Sequence, residues 1–261
     1  MSLIDELPPE RADVLGIGVS AVNMKDAVRH CQRLLKTGGK GYVCLTGVHG
    51  VMEAQRDPEL RRILNRSFLC LPDGMPTVWV GHLRGLGRMR RVYGPDFMLA
   101  MCRAGRASGL RHFLYGGNPG VAERLRQQLQ LHIPGIRIVG TYTPPFRPLT
   151  LSEEQQMLAL VNKARPDIVW VGISTPKQER FMAEYIERID ARLIIGVGAA
   201  FDFCAGLKRD APEWMKRSGL QWLHRLMMEP RRLGRRYLRN NPAFLWNIGL
   251  QLAGIRRDSP G

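Results

Sequence analysis

The chain has 261 residues, 44% of them hydrophobic and 24% charged, with a formal net charge of +16 and a pI near 10.4. That length suits one sizeable core, with or without an appendage, and the cation excess points to nucleic acid, an anionic membrane surface or phosphorylated substrates without choosing among them. The cysteines, Cys31, Cys44, Cys70, Cys102 and Cys204, are odd in number, widely spaced and never in a C-x-x-C arrangement, which argues against a disulfide framework or a zinc site and fits a reducing compartment.

The opening stretch MSLIDELPPE carries acidic residues and no apolar run, so no secretory signal is expected. No later window approaches the ~18 apolar residues of a spanning helix, and a cytosolic protein is expected. ADVLGIGVS (12–20) reads as a strand leading into a helix through MKDAVRHCQRLL, and GYVCLTG (41–47) as a strand before a helix through VMEAQRDPELRRIL. FLCLPDG (68–74) follows, then RHFLYGGNPG (111–120) before a helical VAERLRQQLQ, and IRIVGTYTPPF (136–146). DIVWVGISTP (167–176) precedes a helical KQERFMAEYIERI, and ARLIIGVGAAF (191–201) closes the series. The alternation, with continuous apolar runs such as IVWVGI and LIIGVG, predicts an α/β fold: a Rossmann-like, mostly parallel sheet with helices on both faces. After Phe203 the alternation stops, and two or three helices interrupted at Pro212, Pro230 and Pro242 are predicted. The chain therefore divides into an α/β core, 1–206, and a basic helical C-terminal appendage, 207–261. The appendage holds twelve Lys/Arg against four Asp/Glu, +8 of the total +16.

Ligands of an open parallel sheet bind beyond the carboxyl ends of its strands, so the residues after each apolar run are the candidates. In YGGNPGVAERL, Gly116 and Gly117 permit close backbone approach, and a helix starting near Pro119 offers free N–H groups to a phosphate. The same residues serve equally as a tight turn. GIGVSA (16–21) and GVGAAF (196–201), with Gly198 at its turn, are weaker phosphate candidates and complete no dinucleotide fingerprint, so NAD is not expected. In ISTPKQER, Thr175, Pro176 and Gln178 read as a capping box, while the same geometry turns Gln178 towards a sugar or diphosphate. Asp73, in LPDG, reads as turn chemistry or as a general base for an attacking hydroxyl. Arg91, in RMRRVYGPDF, reads as a solvated arginine or as a guanidinium that offsets charge on a leaving phosphate. The histidines form no H-x-x-x-H or H-E pair, and neither D-x-D nor G-x-S-x-G occurs, which argues against metal-dependent chemistry and a hydrolase triad. In LQWLHRLMMEPRRLGRRYL (220–238), the helical spacing of Leu220, Leu223 and Met227 and of Trp222 and Leu226 makes an apolar face among arginines. That pattern suits an anionic membrane surface better than nucleic acid, which remains the alternative partner. Packing on the core or on another subunit is a third reading.

Taken in order, Thr46-x-x-His49, LPDG (71–74), Arg91-Val-Tyr-Gly-Pro-Asp96, FLYGG-x-PG, VGIS-x-PKQE, GVGAAFDF-x-AG and W-x-x-R-L-x-x-E-P-x-R strongly resemble the WecG/TagA/CpsF family of bacterial glycosyltransferases, from about Asp13 to about Tyr237. The resemblance implies an inverting, metal-independent enzyme without a cofactor. It would move a sugar from a UDP-sugar to a polyprenyl-diphosphate-linked saccharide, peripherally bound at the cytoplasmic face of the membrane. It implies Asp73 as base, Arg91 as diphosphate partner, and Thr46 and Gln178 as donor contacts. Arg225, Arg232 and Arg235 would contact the diphosphate or the membrane. Oligomeric state is left open. This chain has Val48 where many members have Asn, and Asp210-Ala211-Pro212 and Gln221-Trp222 where the family usually reads R-A-P and E-W. The first departure makes a plain hexose donor such as UDP-glucose, in exopolysaccharide assembly, a candidate beside UDP-N-acetylmannosamine; the others point to altered ligand contacts at the start of the appendage.

Overall fold

A computed structural model describes residues 8–256; residues 1–7, on which the reading of the N-terminus partly rests, lie outside the described residues. The first predicted strand is two. Strands β1 (Arg11–Val14) and β2 (Ile17–Ser20) form an antiparallel hairpin apart from the main sheet. Leu15 and Gly16 turn the chain with φ of +54° and +77°, the left-handed backbone that a two-residue hairpin turn requires, and the Gly16 N–H donates to Asp13 Oδ1 at 2.7 Å.

The remaining runs form the predicted parallel sheet. Strands β3 (Gly41–Thr46), β4 (Leu69–Pro72), β5 (Arg111–Gly116), β6 (Arg137–Tyr142), β7 (Ile168–Gly172) and β8 (Leu193–Gly196) lie in the order β4-β3-β8-β7-β5-β6, every pair parallel. Along β7 and β8 successive side chains enter opposite clusters. Val169, Val171 and Ile194 join one, and Ile168, Trp170, Leu193 and Ile195 the other. Both faces are therefore dry, which is why these strands read as unbroken apolar runs rather than alternating ones.

Helices cover both faces. The helix predicted through VMEAQRDPELRRIL is two, Val48–Ala54 and Pro58–Arg66. The Asp57 carboxylate accepts from the Leu60 N–H and restarts the chain with proline in the first turn. Beyond residue 206 come helices Glu213–Arg217, Gln221–Met228 and Pro230–Leu252. The predicted break at Pro242 does not occur: Pro242 sits inside the last helix. Proline removes one backbone donor, but the helix buries Leu233, Asn240, Phe244, Ile248 and Gln251 on one side, and that packing outweighs the lost bond. Phe244 and Ile248 share a buried cluster with Val51 and Met52 of helix Val48–Ala54. At the far end, Gln251 Oε1 accepts from the Leu15 N–H at 3.2 Å and Gln251 Nε2 donates to Asp13 Oδ2 at 3.0 Å, tying the helix to the N-terminal hairpin. Among the described residues no helix is long and apolar enough to cross a membrane.

Candidate active site

A cleft of about 560 Å³ opens at the carboxyl ends of β3, β4, β7 and β8, where segments 47–50, 73–76, 174–178 and 196–200 meet, and helices Gln221–Met228 and Pro230–Leu252 form its opposite wall. This is where a parallel sheet presents loops and helix starts free of strand pairing.

On the core side, Asp73 follows β4 directly. Its N–H donates to the Thr46 carbonyl at 3.1 Å, and its Oδ1 accepts from the Gly94 N–H at 3.2 Å. Arg91 Nε donates to the Asp73 carbonyl at 2.6 Å, another Arg91 nitrogen donates to Gln221 Oε1, and the guanidinium carbon lies 4.4 Å from the centre of the Tyr93 ring. The Arg91 guanidinium is thus bonded to the backbone of Asp73, eighteen residues earlier in sequence, and both residues line the cleft.

Gln178 also lines the cleft. It is 3% exposed, its Nε2 donates to Glu179 Oε1 at 3.1 Å, and its Oε1 has no hydrogen-bond partner in the protein. A buried amide oxygen without a donor is costly unless a ligand or water supplies one. Gly198, at φ +53°, stands beside it, and a Cβ there would come within 3.4 Å of that oxygen. The predicted capping box does not form. The Thr175 hydroxyl donates to Glu179 Oε1 at 2.9 Å instead, and the helix Lys177–Tyr185 has no side-chain cap. Burial drives the Glu179 carboxyl above its ordinary range.

On the other wall, Arg225 and Arg232 line the cleft, as do Arg236, Trp222, Tyr237 and Asn240. Arg225 lies over the Phe203 ring at 5.9 Å, and Arg232 pairs with Glu229, whose carboxyl the hydrogen bond from Arg232 holds down at about 2. His49 faces Asn240, Nδ1 to Nδ2 at 3.2 Å. Burial, reinforced by Arg236, Arg56 and Arg225, pushes the His49 imidazole down to about 4. Among the described residues no group of three or more His, Cys, Asp or Glu is placed to hold a metal ion.

Of the residues singled out from sequence, Asp73, Arg91, Gln178, Gly198, Arg225 and Arg232 meet on this cleft, whereas Thr46, Gly116, Gly117 and Arg235 do not line it. Thr46 is buried at the end of β3, its hydroxyl accepting from Cys70 Sγ at 3.3 Å. Gly116, at φ +122°, lies where a Cβ would fall 2.7 Å from the Gly172 carbonyl oxygen, and a Cβ on Gly117 would meet Val121 at 2.9 Å. Close packing of β5 against β7 accounts for Gly116, and the start of the helix Val121–His132 for Gly117. Arg235 borders a smaller depression with Glu53, Arg232, Arg236 and Arg239. The cleft-facing arginine that the sequence reading missed is Arg236. A signal for it existed: Arg232, Arg236 and Asn240 recur every four residues, one face of a helix, and Arg235 does not.

The fold and this cleft together define a sugar transferase of the Rossmann-like type, with the ligand side of a parallel sheet closed by a basic helical segment. Residues 12–258 match the glycosyl transferase WecG/TagA/CpsF family model, and the chain belongs to that family. It is 30% identical over 177 residues, 68% of this chain and 67% of the relative, to an N-acetylglucosaminyldiphosphoundecaprenol N-acetyl-beta-D-mannosaminyltransferase of Bacillus subtilis (strain 168). To the protein of the same description from Bacillus spizizenii (strain ATCC 23059 / NRRL B-14472 / W23) it is 26% identical over 206 residues, 78% of each chain.

Proposed function

We propose that this protein transfers a hexose from a UDP-sugar to a polyprenyl-diphosphate-linked saccharide, with inversion, in the assembly of a bacterial exopolysaccharide or related surface glycan. The observation that carries the reading is the pairing of Asp73 and Arg91 across a cleft from Arg225, Arg232 and Arg236. Asp73 takes the proton from the acceptor hydroxyl as that oxygen attacks the anomeric carbon. The glycosidic bond to UDP breaks on the opposite face, and Arg91 offsets the charge left on the diphosphate. Gln178 and Gly198 contact the donor, and Gln178 Oε1 accepts from a sugar hydroxyl. The relatives' names speak for an acceptor of the diphosphoundecaprenol type.

Val48, which lines the cleft beside His49, supports a donor without an N-acetyl group, because an isopropyl side chain offers an amide no hydrogen bond. A panel of UDP-glucose, UDP-N-acetylglucosamine and UDP-N-acetylmannosamine with a short-chain polyprenyl-diphosphate N-acetylglucosamine acceptor tests both claims. Transfer from none of the three sinks the reading, and transfer from UDP-N-acetylmannosamine alone sinks the donor assignment. Val48→Asn should shift preference towards the N-acetylated donors by about ten-fold, the value of one hydrogen bond in a shielded site.

The C-terminal segment docks the enzyme on the inner face of the cell membrane. Support comes from Leu238, Leu245, Trp246 and Leu252, all solvent-exposed on a helix rich in arginine. Nucleic acid fits less well, since Trp222 packs edge-on against Tyr237 at 5.8 Å rather than standing free to stack on bases. Flotation with vesicles containing about 30% anionic lipid, set beside a DNA gel shift, separates the two; binding to DNA alone contradicts the membrane assignment.

A further inference from the structure

The side chains that hold Arg91 in place converge on one residue that does not itself reach the cleft. Arg91 is fixed by the Asp73 carbonyl, by Gln221 Oε1 and by the face of the Tyr93 ring. Gln221 and Tyr93 are in turn both held by Asp210: Gln221 Nε2 donates to Asp210 Oδ1 at 2.8 Å, and the Tyr93 hydroxyl donates to the same oxygen at 3.1 Å. The carboxylate is anchored from behind by Lys216 Nζ at 3.1 Å and by the Ala211 N–H at 2.8 Å. Burial, helped by the Asp210 and Asp73 charges, keeps the Tyr93 phenol above its ordinary range, so it remains a donor.

The chemistry leaves one arrangement. Arginine only donates and a carboxylate only accepts, so the Gln221 amide must turn its oxygen to Arg91 and its NH2 to Asp210. Gln221 is 6% exposed, so little water is available to replace either bond. A neutral amide transmits orientation without forming an ion pair, which leaves the Arg91 charge uncancelled for an anionic ligand. Asp210 lies between the last sheet-linked helix, Ala200–Cys204, and the C-terminal helices, while Gln221 begins the helix Gln221–Met228 that walls the cleft. Seating of the C-terminal segment and aim of the guanidinium are thus one hydrogen-bonded unit.

We propose that Asp210, acting through Gln221 and Tyr93, is a positioning residue that sets the Arg91 guanidinium for the donor diphosphate. The proposal rests on the reading of Arg91 given above. A structural residue and a positioning residue differ in one measurable respect: the second has nothing to position once Arg91 is gone.

The test is a double-mutant cycle on the full-length chain, with UDP as the probe and its Kd read by calorimetry for wild type, Asp210→Asn, Arg91→Ala and the double variant. Asp210→Asn should weaken UDP binding about ten-fold in the wild-type background, as expected for a disturbed hydrogen bond to a charged group, and less than about two-fold beside Arg91→Ala. Gln221→Ala, which leaves the Asp210–Lys216 pair in place, should give the same pattern and replaces Asp210→Asn if that variant does not fold. Equal weakening in both backgrounds overturns the proposal and leaves the Arg91 reading standing. Unchanged UDP affinity in Arg91→Ala removes that reading and the proposal together.

Discussion

Replacing Asp73 by asparagine separates what this carboxylate holds from what it does. The Asp73 N–H to the Thr46 carbonyl at 3.1 Å and the Arg91 Nε to the Asp73 carbonyl at 2.6 Å are backbone contacts that the substitution keeps. The amide oxygen can still accept from the Gly94 N–H, now 3.2 Å from Oδ1, so the structural loss is the difference between a charged and a neutral acceptor, about 1 kcal/mol. In a chain of this size that lowers Tm by roughly 2–4 °C. The chemical loss is far larger. An amide cannot take a proton from the acceptor hydroxyl, and a positioned general base contributes about 10²–10⁴ in rate, or roughly 2.7–5.4 kcal/mol of barrier. Initial rates of UDP release, with donor and acceptor each varied at saturating levels of the other, should therefore show kcat down by at least about a hundred-fold with donor KM changed by less than about three-fold. A folded Asp73→Asn enzyme within ten-fold of wild-type kcat would refute the assignment of the base. A matched loss in donor affinity would move Asp73 from proton transfer to binding.

Three further perturbations test the frame around the site. Gly116→Ala should lower the urea-unfolding free energy by about 2–4 kcal/mol, because its Cβ would fall 2.7 Å from a backbone oxygen at a φ of +122° that alanine rarely adopts; an unchanged midpoint would mean that β5 can move off β7. The His49 imidazole, held near 4 in the folded protein against an ordinary 6.5, takes up its proton first in the unfolded chain as pH falls. His49 therefore makes stability decline from about pH 6.5 to about pH 4 and adds no slope above that window, and His49→Gln should flatten this part of the Tm–pH curve, leaving the share of His112, also held near 4 by burial. Phe244→Ala removes a ring only 2% exposed at the contact between the last helix and the core. It should destabilise by about 3–5 kcal/mol and make the C-terminal segment the first site of limited proteolysis, with turnover lost as the arginine wall detaches; cleavage beginning elsewhere would contradict that order of unfolding.

What was legible in sequence follows from which forces are local. Strands β3, β4, β5, β7 and β8 could be read because each is a short, largely buried run, and burial leaves an unbroken apolar signature; β6, at the sheet edge, buries only Ile138 fully and could be read from its apolar and β-branched residues. ADVLGIGVS has the same signature but makes a hairpin. Its turn uses Leu15 at positive φ, where asparagine or aspartate would be the usual signal, and Leu15 is held there by complete burial and by the Asp13–Gly16 bond. Pro242 failed as a stop signal for a related reason. Breaking the helix there would expose Phe244 and Ile248, whose partners lie almost two hundred residues upstream at Val51 and Met52 and are invisible to any local rule.

Part of the site was missed for a different reason. Arg235 was named because it matches a family position, although the four-residue step from Arg232 through Arg236 to Asn240 already marks one face of the helix predicted between Pro230 and Pro242. In the structure Arg236 and Asn240 turn inward with Arg232, and Asn240 meets His49 across the cleft. The electrostatics follow from this convergence. Burial pulls the proton affinity of both His49 and Arg236 down, and neighbouring cations, Arg225 common to both, pull it down further. Among the described residues Arg232 is neutralised by Glu229, while neither Arg225 nor Arg236 has a carboxylate within ion-pair distance. Folding such charges together without anions opposes stability, so the arrangement makes physical sense only with an anionic ligand that offsets the repulsion on binding. The diphosphate proposed above would do so with two phosphates at once, and part of the +8 of the C-terminal segment, which in sequence could not choose among acidic partners, faces the cleft.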